Sequence, residues 1–127
     1  MSSPNDRLES LFVLREEFMK RLSQQLPETY SNWPLDPTSK ANQMHIRDIV
    51  LRGVEEMFEA LQHLKNSKPH RQTNLPDFER EAFLEETVDA FNYFLSVLVL
   101  LGVDANEFHE AYKKKHDKIM QRLREGY

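Results

Sequence analysis

The sequence predicts an all-α protein built as a four-helix bundle. Apolar residues recur at three- and four-residue steps over long stretches, the mark of helices with one buried face. Only three glycines occur in 127 residues, and strand-like alternation of Val, Thr and Ile is scarce. The length suits one domain with one modest core, so residues 1–127 read as a single unit.

The first helix is expected over residues 6–26, where Leu8, Leu11, Phe12, Phe18, Leu22 and Leu26 form the apolar face and Pro27 ends it. Residues 27–43 hold three prolines and the only tryptophan, and read as a long loop of the kind that often carries function. The second helix starts near residue 44. Its wide apolar face is Ile46, Ile49, Val50, Gly53, Val54, Met57, Phe58 and Leu61. A second loop covers residues 66–76. The third helix runs from about residue 77 to 101, with Gly102 placed to cap it. The fourth follows Asp104, a candidate N-cap, and ends near residue 125. It is thinly apolar, with Phe108, Tyr112, Ile119 and Leu123, and strongly basic.

Composition narrows the function classes. A net charge of −4 argues against nucleic acid as a partner. The absence of cysteine removes disulfides, thiolate zinc sites and cysteine nucleophiles, and fits a reducing, cytoplasmic setting. No signal peptide is visible, and the longest apolar run, residues 94–101, is far too short to span a bilayer.

One acid pattern occurs twice, as V-E-E-M-F-E-A-L at 54–61 and L-E-E-T-V-D-A-F at 84–91. Residues three and four apart share a helix face. Glu56 with Glu59, and Glu86 with Asp89, therefore form carboxylate pairs, with Glu55 and Glu85 close by. If the two helices pack antiparallel, the pairs converge. Carboxylates crowded in this way repel one another unless a cation sits among them. Hard oxygen ligands suit Mg²⁺ or Mn²⁺. A single such pattern is more often a solvated helix face; the second copy favours a metal site. Beyond Asp89 the polar stripe continues through Asn92 and Ser96 inside a very apolar helix. Burying it unpaired would cost a few kcal/mol per group, so it is expected to face a wet cavity or buried partners.

The fourth helix places Lys115, Lys118 and Arg122 near one face, suited to phosphate oxygens. Taken alone, those cations equally fit a solvated helix end. His109 and His116 share a face without an evident third ligand. The His116-Asp117 pair looks like the metal dyad of HD-type phosphohydrolases, but lies in a lysine run without the further ligands that family needs.

Residues 47–127 resemble the all-α nucleoside triphosphate pyrophosphohydrolases: the MazG proteins, the dimeric dUTPases and their dCTPase relatives. The resemblance rests on Glu56-x-x-Glu59 followed, some 27 positions on, by Glu86-x-x-Asp89. It is strongest to the dimeric dUTPase branch, with its Glu-x-x-Asp, His-Phe pair, apolar helix, Lys-Asn-x-x-Asn-x-x-Arg run and closing Gly-Tyr. Lys115, Arg122, Gly126 and Tyr127 match. Asn92 stands where that branch has His, and His116 and Ile119 where it has Asn.

The resemblance implies a MazG-like bundle completed by oligomerisation, as a homodimer or a dimer of dimers. It implies that Glu56, Glu59, Glu86 and Asp89 hold Mg²⁺, with Glu55 and Glu85 as helpers. Glu56 or Glu59 would orient or deprotonate the water that attacks the α-phosphorus, giving a monophosphate and pyrophosphate. Lys115 and Arg122 would contact phosphates, with Lys68 and Arg71 as further candidates. Asn92, His116, Trp33 and Tyr127 would lie near the substrate, Trp33 either stacking on a base or anchoring its loop. The expected substrate is dUTP or a related pyrimidine deoxynucleotide, with dGTP as the alternative. A competing class is a non-catalytic helical interaction module whose apolar third helix docks a partner.

Overall fold

The computed structural model describes residues 6–30, 33–64, 69–70 and 79–126. Among these, the chain forms four α-helices and one short 3-10 turn, with no strand. The helices are α1 (Arg7–Gln25), α2 (Lys40–Leu61), α3 (Arg80–Leu100) and α4 (Ala105–Glu125), and the turn spans Pro27–Tyr30. No single helix among the described residues is long and apolar enough to cross a membrane.

α1 starts at Asp6, whose side chain accepts from the Glu9 backbone N–H at 2.9 Å. Its buried stripe is Phe12 and Met19, flanked by the half-buried Leu8 and Leu22. Leu11, Phe18 and Leu26, expected inside, are exposed. Arg15 occupies the inward slot between Phe12 and Met19.

α2 begins one turn earlier than the apolar pattern suggests. The Ser39 side chain caps it, and the Asn42 side-chain amide donates to the Asp36 carbonyl at 3.1 Å. Asp36 is itself fixed by the backbone N–H and hydroxyl of Thr38, at 2.9 and 2.7 Å. Those bonds favour its charged form and hold its carboxyl below the usual range. The Leu35 N–H donates to the Leu100 carbonyl at 2.9 Å, pinning the loop to the end of α3.

α2 and α3 form the most extensive pairing of the fold. They run antiparallel: Gly53 faces Phe94 and Tyr93, while further along α2 Glu56 faces Glu86 and Asp89. The seam is lined by small residues. Gly53, Ala60 and Ala90 are all buried, so the two backbones approach closely. On α2 the inward stripe is Ile49, Gly53, Glu56, Ala60; on α3 it includes Phe83, Glu86 and Ala90. One glutamate from each helix therefore takes a seam position. Val54, Phe58 and Leu61 on α2, expected on the buried face, are exposed.

The C-terminus of α3 explains the position of α4. Gly102 adopts φ +75°. Its N–H donates to the Val99 carbonyl at 3.1 Å, and the Val103 N–H donates to the Leu98 carbonyl at 2.9 Å. This is a Schellman stop, which needs a left-handed residue at that place. Asp104 then caps α4 through the Glu107 N–H at 2.8 Å. The chain turns by 107° between α3 and α4. Among the described elements α4 packs on α1 alone, through Ala105 and a tilted contact of Phe108 with Phe12, centroids 6.3 Å apart. From His109 onward every described side chain of α4 is exposed. Among the described residues α3 thus packs against both α1 and α2, with α4 standing away, rather than four antiparallel neighbours. The core comprises Phe12, Met19, Tyr30, Leu35, Ile49, Leu95, Val99, Leu100 and Ala105.

Candidate metal centre and adjoining cavity

Glu86 and Asp89 lie one turn apart on α3, and Glu56 meets them from α2. One carboxylate oxygen from each lies within 4.8 Å of the other two. Glu56 and Glu86 are half-buried and Asp89 is exposed. No ion pair among the described residues neutralises any of the three. Partial loss of hydration, and then the charges of Asp89, Glu86, Glu59 and Glu55, push the Glu56 carboxyl above its ordinary value. An all-oxygen, all-anionic set of this kind fits a hard divalent cation such as Mg²⁺ or Mn²⁺.

Glu59 falls outside the trio. It is exposed, because the seam of α2 passes through Gly53, Glu56 and Ala60 and leaves position 59 turned aside. It still lies near enough to add to the field on Glu56. Glu55 and Glu85 are exposed as well.

Two members of the trio, Glu56 and Asp89, line a cavity of about 720 Å³ between α1, α2, α3 and the 3-10 turn. Glu28 and Asp48 line it as well. Asn92, half-buried, lines it next along α3. The stripe thus runs from Asp89 and Asn92 on the cavity wall to Ser96, which is 1% exposed behind it and is satisfied by Arg15, whose Nε donates to its hydroxyl at 2.7 Å. Tyr30, Tyr93 and Phe18 supply aromatic wall. Arg52, one turn before Glu56 on α2, also lines the cavity.

Other sequence candidates lie elsewhere. Trp33 packs on the core, edge-to-face with Tyr30 at 6.1 Å and 69°. It lines a separate hollow of about 540 Å³ with Pro34 and Val99, so it anchors its loop and does not border the acid-lined cavity. Lys115, His116 and Arg122 are exposed on α4, and none lines the cavity of its own chain. The physical reason is the 107° turn after α3, which carries the basic helix off the bundle. Lys68, Arg71 and Tyr127 lie outside the described residues.

Arg15, like Arg52, Tyr30 and Tyr93, lines the cavity without a sequence motif to mark it. Burial lowers its pKa, while the nearby Tyr30 and Tyr93 hydroxyls act the other way. A guanidinium nevertheless stays charged in proteins. Its signal is visible in hindsight: positions 8, 12, 15, 19 and 22 form one helical stripe, and Arg15 is its only charge.

Compared with family models, with curated proteins and with solved structures, the chain has no match. Fold and site define the class at this level: among the described residues, an all-α protein with an acidic trio able to hold a metal ion beside a cavity of about 720 Å³.

Proposed function

We propose that this protein is a divalent-metal-dependent nucleoside triphosphate pyrophosphohydrolase. The observation that carries the reading is the convergence of Glu56, Glu86 and Asp89, two of which, Glu56 and Asp89, line the cavity. The doubled acid motif and its resemblance to the MazG-like and dimeric dUTPase proteins support it. Glu56, Glu86 and Asp89 would hold Mg²⁺ or Mn²⁺, with Glu59, Glu55 and Glu85 around them. When bound, such an ion supplies charge neutralisation at the phosphates and activation of water.

The chain's own residues do the remainder. Glu59, adjacent to Glu56 but outside the trio, orients the water and accepts its proton. Water adds to the α-phosphorus, and the bond to the bridging oxygen breaks. A monophosphate and pyrophosphate leave. Arg52 offsets the negative charge from within the chain. Lys115 and Arg122 would come from α4 of another copy in a homodimer or a dimer of dimers. In support, the large apolar side chains of Phe58, Val88, Phe91 and Leu123 are exposed on α2, α3 and α4. The substrate class is a deoxynucleoside triphosphate: dUTP or another pyrimidine by the resemblance, dGTP as the alternative.

A panel of deoxynucleoside and nucleoside triphosphates with Mg²⁺ tests this. Pyrophosphate release, lost by about a hundred-fold or more in Glu56→Gln and Asp89→Asn with helicity intact, is expected. Release of orthophosphate alone would contradict the cleavage site. The exposed apolar row Tyr112, Ile119 and Leu123 on α4 favours a second reading, a helical interaction module. For that protein the two substitutions would change nothing and no pyrophosphate would appear.

A further inference from the structure

The cavity leads away from the acid trio along α3. Asn92 lies three residues beyond Asp89 and Ser96 seven, or about 4.5 Å and about 10 Å along the helix axis. Arg15 is held at the far end. Its Nε donates to Ser96 Oγ at 2.7 Å, and its guanidinium carbon lies 4.6 Å from the centre of the Phe18 ring. Arg15 lines the cavity, and its two terminal nitrogens have no hydrogen-bond or ion-pair partner among the described residues. A planar fork fixed at one edge and open at the other is preorganised for two acceptors side by side. With an α-phosphate at the trio, the sugar falls near Asn92 and the base near Arg15, between the Tyr30 and Tyr93 side chains.

We propose that Arg15 determines base specificity, its open two-donor edge selecting a base with two adjacent acceptors, as in cytosine (O2 and N3) or guanine (O6 and N7). The proposal rests on the cavity being a nucleoside triphosphate site. It narrows that reading and moves the preference off uracil. Uracil and thymine set an N3–H donor between their carbonyls, and adenine sets its N6 amino donor beside N7. Each of these turns one Arg15 donor against a donor. Ser96 is the positioning residue, because its hydroxyl holds the fork in place.

The test is kcat/KM for dCTP, dGTP, dUTP, dTTP and dATP with Mg²⁺, read as pyrophosphate, for the native protein, Arg15→Gln and Ser96→Ala. The native protein is expected to prefer dCTP or dGTP over dUTP by about ten-fold or more; whichever is hydrolysed identifies the base. Glutamine offers one donor and one acceptor, so Arg15→Gln shifts the preference toward dUTP or dATP. Ser96→Ala narrows the discrimination. If Arg15→Gln does not fold, Arg15→Lys keeps the charge without the fork and is expected to lose discrimination likewise. Native pyrophosphate release with dUTP equal or preferred would overturn the proposal while leaving the reaction class standing. Equal loss for all five substrates in Arg15→Gln would assign Arg15 a purely structural role and overturn it too. No pyrophosphate from any substrate would remove the reaction class, and this proposal with it.

Discussion

Replacing Gly53 with alanine, and then with leucine, probes the close approach of α2 and α3 on which the acid trio depends. A Cβ at position 53 would lie 3.0 and 3.1 Å from two ring carbons of Phe94 and 3.2 Å from Tyr93 Cβ. Comfortable carbon contacts begin near 3.5 Å. The Phe94 atoms are at the far end of a side chain and yield by rotation. Tyr93 Cβ is anchored to the α3 backbone and yields only if the helices part. Alanine gains about 1 kcal/mol of helix propensity over glycine. Overpacking costs about 1–3 kcal/mol. The balance is a loss of about 1 kcal/mol for Gly53→Ala. Leucine adds three more carbons to the same gap, for a loss of about 3 kcal/mol. At this chain length that corresponds to a fall in Tm of roughly 3–5 °C per kcal/mol.

Urea unfolding followed by circular dichroism measures both variants. Since Glu56 lies one turn from Gly53, and Asp89 one turn from Tyr93, Gly53→Leu also weakens divalent-cation binding. If alanine instead stabilised by its full propensity gain and leucine were tolerated, the helices would not be in close contact there, and the account of the seam would be wrong.

Further outcomes follow from the same structure. The Glu56 carboxyl is raised above its unfolded value, so its charge costs stability above the ordinary glutamate range and nothing well below it. Without divalent cations, Glu56→Gln should therefore melt higher than the native protein at neutral pH, and the gap should close as pH falls through the carboxylate range; a gap independent of pH would refute the cause. Saturating Mg²⁺ at about a hundred times its Kd should stabilise the native protein by about 2.7 kcal/mol in thermal melts, and Glu86→Gln should abolish the gain. Leu100, fully buried in the core, should lose about 2–5 kcal/mol as Leu100→Ala in denaturant titration; a neutral result would misplace the core. Asp104→Ala removes the α4 cap and should lower its stability by about 1 kcal/mol, read as faster amide exchange in the first turn of α4.

Much of the fold is legible in the residues, and the misses have physical causes. Four helices follow from periodicity, and the Gly102 and Asp104 signals mark the α3–α4 boundary well because capping chemistry is local. The start of α2 is set by Ser39 and by the Asn42 bond to Asp36, polar contacts that an apolar pattern does not register. The face of α1 is ambiguous because Leu11, Phe12, Phe18 and Met19 offer two overlapping stripes. Packing against α3 selects the one through Met19. Glu56, Glu86 and Asp89 are legible because their spacing repeats on two helices. The exclusion of Glu59 from the trio depends on the rotation of α2 about its axis, which Gly53 and Ala60 decide. Where α4 points depends on one turn in the backbone, so the distance of Lys115 and Arg122 from the trio could not be read from spacing. Arg15 was legible as a charge on a buried stripe; its partner Ser96, 81 residues away, was not.

Titration of Mn²⁺ into the metal-free protein, with the bound ion counted by electron paramagnetic resonance, tests the central claim most directly. The native protein should bind the ion at a site that Mg²⁺ competes for, and Glu56→Gln, Glu86→Gln and Asp89→Asn should each weaken it by about ten-fold or more with helicity unchanged. Native protein that binds no Mn²⁺, or all three variants binding as the native protein does, would contradict the assignment of Glu56, Glu86 and Asp89 as a metal centre.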